Sequence, residues 1–170
     1  MDDDLAAFCR REHGRLVAAL DLVCGSLPIA EDLAQETLAR VCKNWGRIAG
    51  MEAPGAYAHR IALNLAASAF RRRAAERRAN ARRHADARTQ WDDPDSATSL
   101  TLHSALQQLR PEQRRVLVLR YFLDYSVTEA ASILEMPEGT IKTHTHRGLA
   151  ALRQALGSAV TAEDVAVRNG

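Results

Sequence analysis

Three observations predict an all-α chain. Ala, Leu, Arg, Glu and Gln dominate, Gly and Pro cluster at a few points, and no run of alternating β-branched residues exceeds a few positions. The apolar residues recur at helical spacing in two blocks separated by a polar, acidic stretch. With 170 residues the chain suits two small helical domains joined by a flexible linker, the second containing a helix-turn-helix.

The elements are expected in this order. A first helix over about Asp4 to Val23 carries Leu5, Phe8, Cys9, Leu16, Val17 and Leu20 on one face, and Gly25, Ser26 and Pro28 end it. A second, about Ala30 to Trp45, sets Leu33, Thr37, Val41 and Trp45 at i, i+4 steps, with Leu38 and Cys42 beside them. Gly46, Gly50, Pro54 and Gly55 mark a loop about ten residues long. A third helix starts near Ala56 with Tyr57, Ile61 and Leu65 as its apolar stripe and runs into an arginine block. Thr89 to Ser99 reads as a linker that spans about 18 Å relaxed and about 37 Å if pulled straight. Beyond it Leu102, Leu106 and Leu109 suit a short helix, Pro111 opens the next, and Ser126 with Glu129 forms a capping box for a further one. Pro137 and Gly139 punctuate a turn before a last amphipathic helix with Ile141, Leu149, Leu152 and Leu156. The tail from Gly157 is expected to fray. The domain boundaries are thus 1–88, linker 89–99, 100–156 and tail 157–170.

Charge is uninformative in the sum and informative by segment. The total is 23 Lys and Arg against 21 Asp and Glu. Met1 to Gly50 holds six basic and eight acidic residues; Arg71 to Arg88 holds eight Arg against Glu76 and Asp86; Thr89 to Leu100 holds only Asp92, Asp93 and Asp95. A basic block of net +6 is therefore followed at once by an acidic spacer of net −3. No stretch approaches the roughly 20 uncharged apolar residues of a membrane span, and the acidic N-terminus is unlike a signal peptide, so no membrane insertion and a cytoplasmic location are expected. Cys9, Cys24 and Cys42 lack CxxC spacing and read as buried free thiols.

Ser126 to Arg147 carries the most specific pattern. A capped helix with the small pair Ala130-Ala131, a turn of Glu135-Met136-Pro137, and a helix opening at Glu138 reproduce helix-turn-helix spacing, with an ordinary αα-hairpin as the alternative. The second helix presents Thr140, Lys142, Thr143, His144, His146 and Arg147, whose hydroxyls and ring nitrogens suit base edges and whose cations suit phosphates. His144 and His146 point about 200° apart and cannot share a metal ion. On the third helix Arg60, Asn64, Ser68 and Arg71 or Arg72 share a face. That stripe fits either nucleic acid or a solvated helix end favoured by the macrodipole. On the second helix Asp32, Gln35, Glu36, Ala39, Arg40 and Lys43 form a polar stripe, either a protein-docking face or simple i, i+4 pairing. No nucleophile-base pair or ligand cluster is visible, so no enzyme activity, catalytic residue, cofactor or metal is expected.

Three segments in order, AEDLAQETLARVCKNW, PGAYAHRIALNLAASAFRRR and LRPEQRRVLVLRYFLDYSVTEAASILEMPEGTIKTHTHRGLAALR, resemble the two-domain extracytoplasmic-function (ECF) bacterial sigma factors, in the flavour of the actinobacterial branch. The resemblance covers about Leu5 to Leu156. It implies a dissociable specificity subunit that binds RNA polymerase core and directs promoter-specific initiation. Asp32, Leu33, Gln35, Glu36 and Arg40 would dock on the clamp of the largest polymerase subunit, with a further contact to the flap of the second-largest. The loop Gly46 to Gly55 with Arg60, Asn64, Ser68, Arg71 and Arg72 would receive the minus-ten element, and Thr140, Lys142, Thr143, His144, His146 and Arg147 the minus-thirty-five element of promoter DNA. An anti-sigma factor is the implied regulatory partner. The chain departs from the family at Leu63, where Arg is common, at Thr143-His144-Thr145, where Ser-Arg-Leu is common, and at Cys42, where an aromatic is frequent. Two alternatives are a helix-turn-helix regulator of response-regulator type and a sigma mimic that sequesters an anti-sigma factor.

Overall fold

A computed structural model describes residues 2–81 and 97–168, and the chain divides into two compact units, Met1–Asp92 and Asp93–Gly170. In the first, α1 (Asp2–Cys24), α2 (Leu27–Lys43), the single turn α3 (Trp45–Ile48) and α4 (Pro54–Ala81) pack together. In the second, α5 (Ala97–Gln107), α6 (Pro111–Leu117), a π-helical turn (Val118–Phe122), α7 (Val127–Leu134) and α8 (Glu138–Arg168) do so. Among the described residues there is no strand, and no helix is long and apolar enough to cross a membrane.

The expected second helix does not run on to Trp45. Asn44 donates its side-chain amide to the Arg40 carbonyl at 2.9 Å and leaves the helical conformation, closing α2, and α3 begins at Trp45. That break seats Trp45 against Phe8, ring centroids 5.0 Å apart and tilted 49°, in a core with Val41, Ile48 and Ala58. The loop left between α3 and α4 is residues 49–53, half the expected length. The stripe of α4 is also rotated from expectation. Tyr57, Ile61 and Leu65 are only half-buried, whereas Ala58, His59, Ala62, Leu63 and Ala66 are buried. Small alanines let α4 approach its neighbours closely, and the larger side chains flank that contact.

Buried with them is a polar pair that hydropathy patterns do not reveal. Glu12 on α1 and His59 on α4 are 3% and 1% exposed, with Nε2 and Oε2 3.8 Å apart. Arg11 donates to Glu12 Oε1 at 3.0 Å. Burial lowers the His59 pKa from 6.5 to about 4; Glu12 pulls it up and Arg15 pushes it down, and burial wins. The imidazole is therefore neutral at pH 7. Because the folded pKa lies below the unfolded one, the stability it confers is whole above pH 6.5 and is lost as pH falls towards 4. The expected loss is about 3 kcal/mol. Thermal melts from pH 7 to pH 4 should show this, and His59→Gln should have the shallower dependence; identical slopes would remove His59 as the cause.

The second unit is tied by a buried arginine. Arg114, 5% exposed, donates to the carbonyls of Leu106 at 2.8 Å, Gln107 at 3.0 Å and Leu109 at 3.1 Å, and to Gln107 Oε1. A cation at the end of α5 satisfies carbonyls that a helix terminus leaves open and complements its dipole. Val116, Leu117, Leu119, Ile133, Leu134 and Ile141 supply the apolar core. At Gly148 a Cβ would lie 3.1 Å from Leu117 Cδ1, so α8 crosses α6 at a spacing that only glycine meets without displacement.

The capping box forms as expected: Glu129 N donates to Ser126 Oγ at 3.1 Å and Ser126 N to Glu129 Oε2 at 2.7 Å, which holds the Glu129 carboxyl below its usual pKa. Two expectations at the margins differ. Ala97, Thr98 and Ser99, expected as linker, begin α5, while Thr89 to Ser96 lie outside the described residues. The tail does not fray at Gly157: α8 continues to Arg168, a stretch with three alanines and neither proline nor a further glycine.

Candidate nucleic-acid interface

Of the six residues expected to face DNA on α8, Lys142, Thr143, His146 and Arg147 are exposed, at i, i+1, i+4 and i+5. That spacing puts them on one face. Thr140 and His144 are half-buried and turn part-way inward, on the side of Ile141 and Gly148. The 200° separation of His144 and His146 is thus realised as one half-buried and one exposed ring. Thr143 Oγ1 donates to the Gly139 carbonyl at 2.8 Å, so its lone pairs are left to accept. Thr145 does the same to Ile141 at 2.8 Å and is half-buried. The face therefore presents two cations, an imidazole and an acceptor hydroxyl.

The geometry that aims this helix is local. Glu135 closes α7 in the left-handed conformation at φ 54°, Met136 N bonds back to the Ala131 carbonyl at 3.0 Å, and Pro137 precedes the first turn of α8. Thr128 Oγ1 donates to Glu138 Oε1 at 2.7 Å and pins the N-terminus of α8 to that of α7. A three-residue turn held at both ends in this way is the short connection of a helix-turn-helix.

In the first unit, Asn64, Ser68, Arg71 and Arg72 are exposed along α4, with Arg60 half-buried at the head of the same row. Arg71 Nη2 donates to Ser68 Oγ at 3.0 Å. No acidic residue occurs between Arg60 and Arg73, so the row is a cationic, amide- and hydroxyl-bearing strip. Arg73 is half-buried and Arg78 exposed; Arg82, Arg83 and Arg88 of the arginine block lie outside the described residues. Leu63 is 1% exposed and belongs to the core. Its departure from arginine is therefore a packing change away from the strip. Sequence reasoning missed the pair that stands where the short loop meets α4: Arg47 Nη2 donates to Tyr57 Oη at 2.8 Å with its guanidinium 5.6 Å from that ring. Ten residues apart on two different helices, α3 and α4, they share no period that would have joined them.

On α2, Asp32, Gln35, Glu36, Ala39, Arg40 and Lys43 are exposed, and Leu33 is half-buried at the border. Glu36 and Arg40 pair at 2.7 Å, each half exposed. Such a pair contributes only about 0.3–0.5 kcal/mol, so it holds the Glu36 carboxylate in place more than it stabilises the helix. Among the described residues no three His, Cys, Asp or Glu side chains gather as a metal site would require. Cys24 and Cys9 are half-buried and Cys42 is exposed, so the three cysteines, expected as buried thiols, are outside the fully buried core and in no disulfide.

Comparison with known proteins falls on the same two units. Residues 4–76 match the sigma-70 region 2 family and residues 99–152 the sigma-70, region 4 family. The chain is 36% identical over 127 residues to the RNA polymerase sigma-E factor of Streptomyces antibioticus, covering 75% of this chain and 70% of that protein. It is 31% identical over 145 residues to the ECF RNA polymerase sigma factor SigW of Bacillus subtilis, covering 78% of each. Among solved structures, the sigma factor RpoE in its co-crystal with the anti-sigma factor NepR from Bartonella quintana superposes with a TM-score of 0.76 at 22% identity, over 91% of this chain and 97% of that one.

Proposed function

We propose a division of labour that starts from one premise: the chain belongs to the sigma-70 family, in its extracytoplasmic-function (ECF) branch, and directs promoter-specific transcription initiation by RNA polymerase. The proposed domain limits are 1–88, a linker 89–96 that ends where α5 begins, 97–156 and a tail 157–170. In the N-terminal domain Asp32, Leu33, Gln35, Glu36 and Arg40 dock on the clamp of the largest polymerase subunit. Arg60, Asn64, Ser68, Arg71 and Arg72 receive the minus-ten element as its strands part, the cations neutralising backbone and Asn64 reading an unstacked base edge. In the C-terminal domain Thr140, Lys142, Thr143, His144, His146 and Arg147 serve the minus-thirty-five element. The exposed Tyr121 and Phe122 of the π-helical turn, 58% and 46% exposed, offer an apolar contact to the flap of the second-largest subunit.

One observation carries this reading: each family segment coincides with one compact unit, and each unit exposes a cationic, hydroxyl-bearing helical face. A response-regulator reading would leave residues 4–76 without a role. Sigma factors are non-enzymatic regulators, and we assign this chain no chemistry of its own in promoter recognition, no cofactor, and a place in the cytoplasm beside polymerase. An anti-sigma factor is its proposed regulatory partner, as NepR is of RpoE in the solved complex. The test is transcription in vitro with core polymerase and a promoter library. Discrete transcripts that depend on the chain are expected; none with several bacterial cores would overturn the reading.

Within that assay, Lys142→Ala and Arg147→Ala should each weaken promoter binding by the chain in complex with core. The dependence of log affinity on log salt should fall by roughly one unit per phosphate contact removed. An unchanged slope would place these cations away from phosphate.

A further inference from the structure

Two cysteines that promoter recognition does not use stand together. Cys9 on α1 and Cys42 on α2 are 33 residues apart in sequence, yet their Sγ atoms are 4.0 Å apart. The arrangement follows from the hairpin. Gly25 and Ser26 alone separate α1 from α2, so the helices run back along one another; Cys9 lies fifteen residues before the end of α1 and Cys42 fifteen after the start of α2. Cys24, at the other end of α1, is about 22 Å away along the helix and out of reach. Cys9 packs on the Phe8, Val41, Trp45 and Ile48 cluster, whereas Cys42 is exposed on the edge of α2 two turns after Gln35.

We propose that Cys9 and Cys42 are a redox modification site, at which a peroxide oxidises Cys42 and the two cysteines then close a disulfide stapling α1 to α2. The exposed Cys42 is the entry point. Its Sγ attacks one peroxide oxygen, the O–O bond breaks, and water or an alcohol leaves, giving a sulfenic acid. Cys9 Sγ then attacks Cys42 Sγ, the S–O bond breaks, and a second water leaves. Two thiols lose two electrons and the peroxide gains them; a dithiol reverses the step by exchange. Burial and the neighbouring Cys42 raise the Cys9 pKa, so Cys9 stays a protonated thiol until its partner is oxidised. The sulfurs need to close by about 2 Å to bond, within reach of side-chain rotation. The staple borders the polar stripe of α2 and restrains that helix from its flank.

The experiment uses the full reduced chain, treated with hydrogen peroxide, quenched with N-ethylmaleimide and weighed intact. The expected product is a monomer lighter by two hydrogens that carries a single maleimide, mapped to Cys24, and that returns to three reactive thiols after dithiothreitol. Cys9→Ser and Cys42→Ser, each confirmed folded by circular dichroism, should lose this product and Cys24→Ser should keep it. The oxidised chain should melt roughly 10 °C above the reduced one in its N-terminal unit. Oxygen addition at Cys42 with Cys9 still open to maleimide, a Cys42-linked dimer, or an unmoved midpoint would each overturn the proposal.

Discussion

Replacing Asp32 and Glu36 together by alanine is expected to weaken binding to core polymerase by roughly a hundredfold, read by co-elution on gel filtration or by titration of labelled core. Two charged hydrogen bonds lost at an interface cost about 1.5 kcal/mol each, which compounds to that factor. The chain itself should be unharmed. Both carboxylates are exposed, and the only contact described for either is the Glu36–Arg40 pair on the surface, so the thermal midpoint should stay within a few degrees. Unchanged binding would move the docking face away from α2; binding and midpoint lost together would indicate misfolding instead.

Arg114→Ala should act in the opposite way, through the fold. Its guanidinium is the donor that three backbone carbonyls share at the end of α5. Truncation leaves these acceptors buried and opens space beside Leu106 and Leu109. The expected cost is about 3 kcal/mol, a fall of roughly 15 °C for a unit of this size by circular dichroism. Arg114→Lys keeps the charge but cannot span three acceptors and should fall between. A midpoint within a few degrees of the parent would show that water replaces the arginine without loss.

Arg114 also shows where sequence reading stops. Periodicity and local motifs gave the longer helices in order, the capping box at Ser126 and the turn before Glu138, because these depend on residues near in sequence, but not the single turn α3 or the π-helical turn. It did not distinguish Arg114 from the other arginines, since a cation that points inward to carbonyls looks the same in a hydropathy pattern as one that points to water. Glu12 and His59 were invisible for the same reason, lying on separate helices 47 positions apart. The polar faces of α2, α4 and α8 were legible as i, i+4 rows, yet only tertiary packing turned Thr140 and His144 part-way inward and made Leu63 core. The stripe of α4 was misplaced because alanine counts weakly as apolar, whereas close helix approach selects it.

The stacking of Trp45 on Phe8 has a practical consequence. The sequence holds two tryptophans, Trp45 and Trp91, and none follows Asp93. With Trp91, which lies in the proposed linker, replaced by phenylalanine, indole emission reports on the first unit alone through Trp45, while helical ellipticity reports on both units. Recording the two signals in a single denaturant titration would resolve whether the halves melt separately or as one, with no label attached and no cut made in the chain.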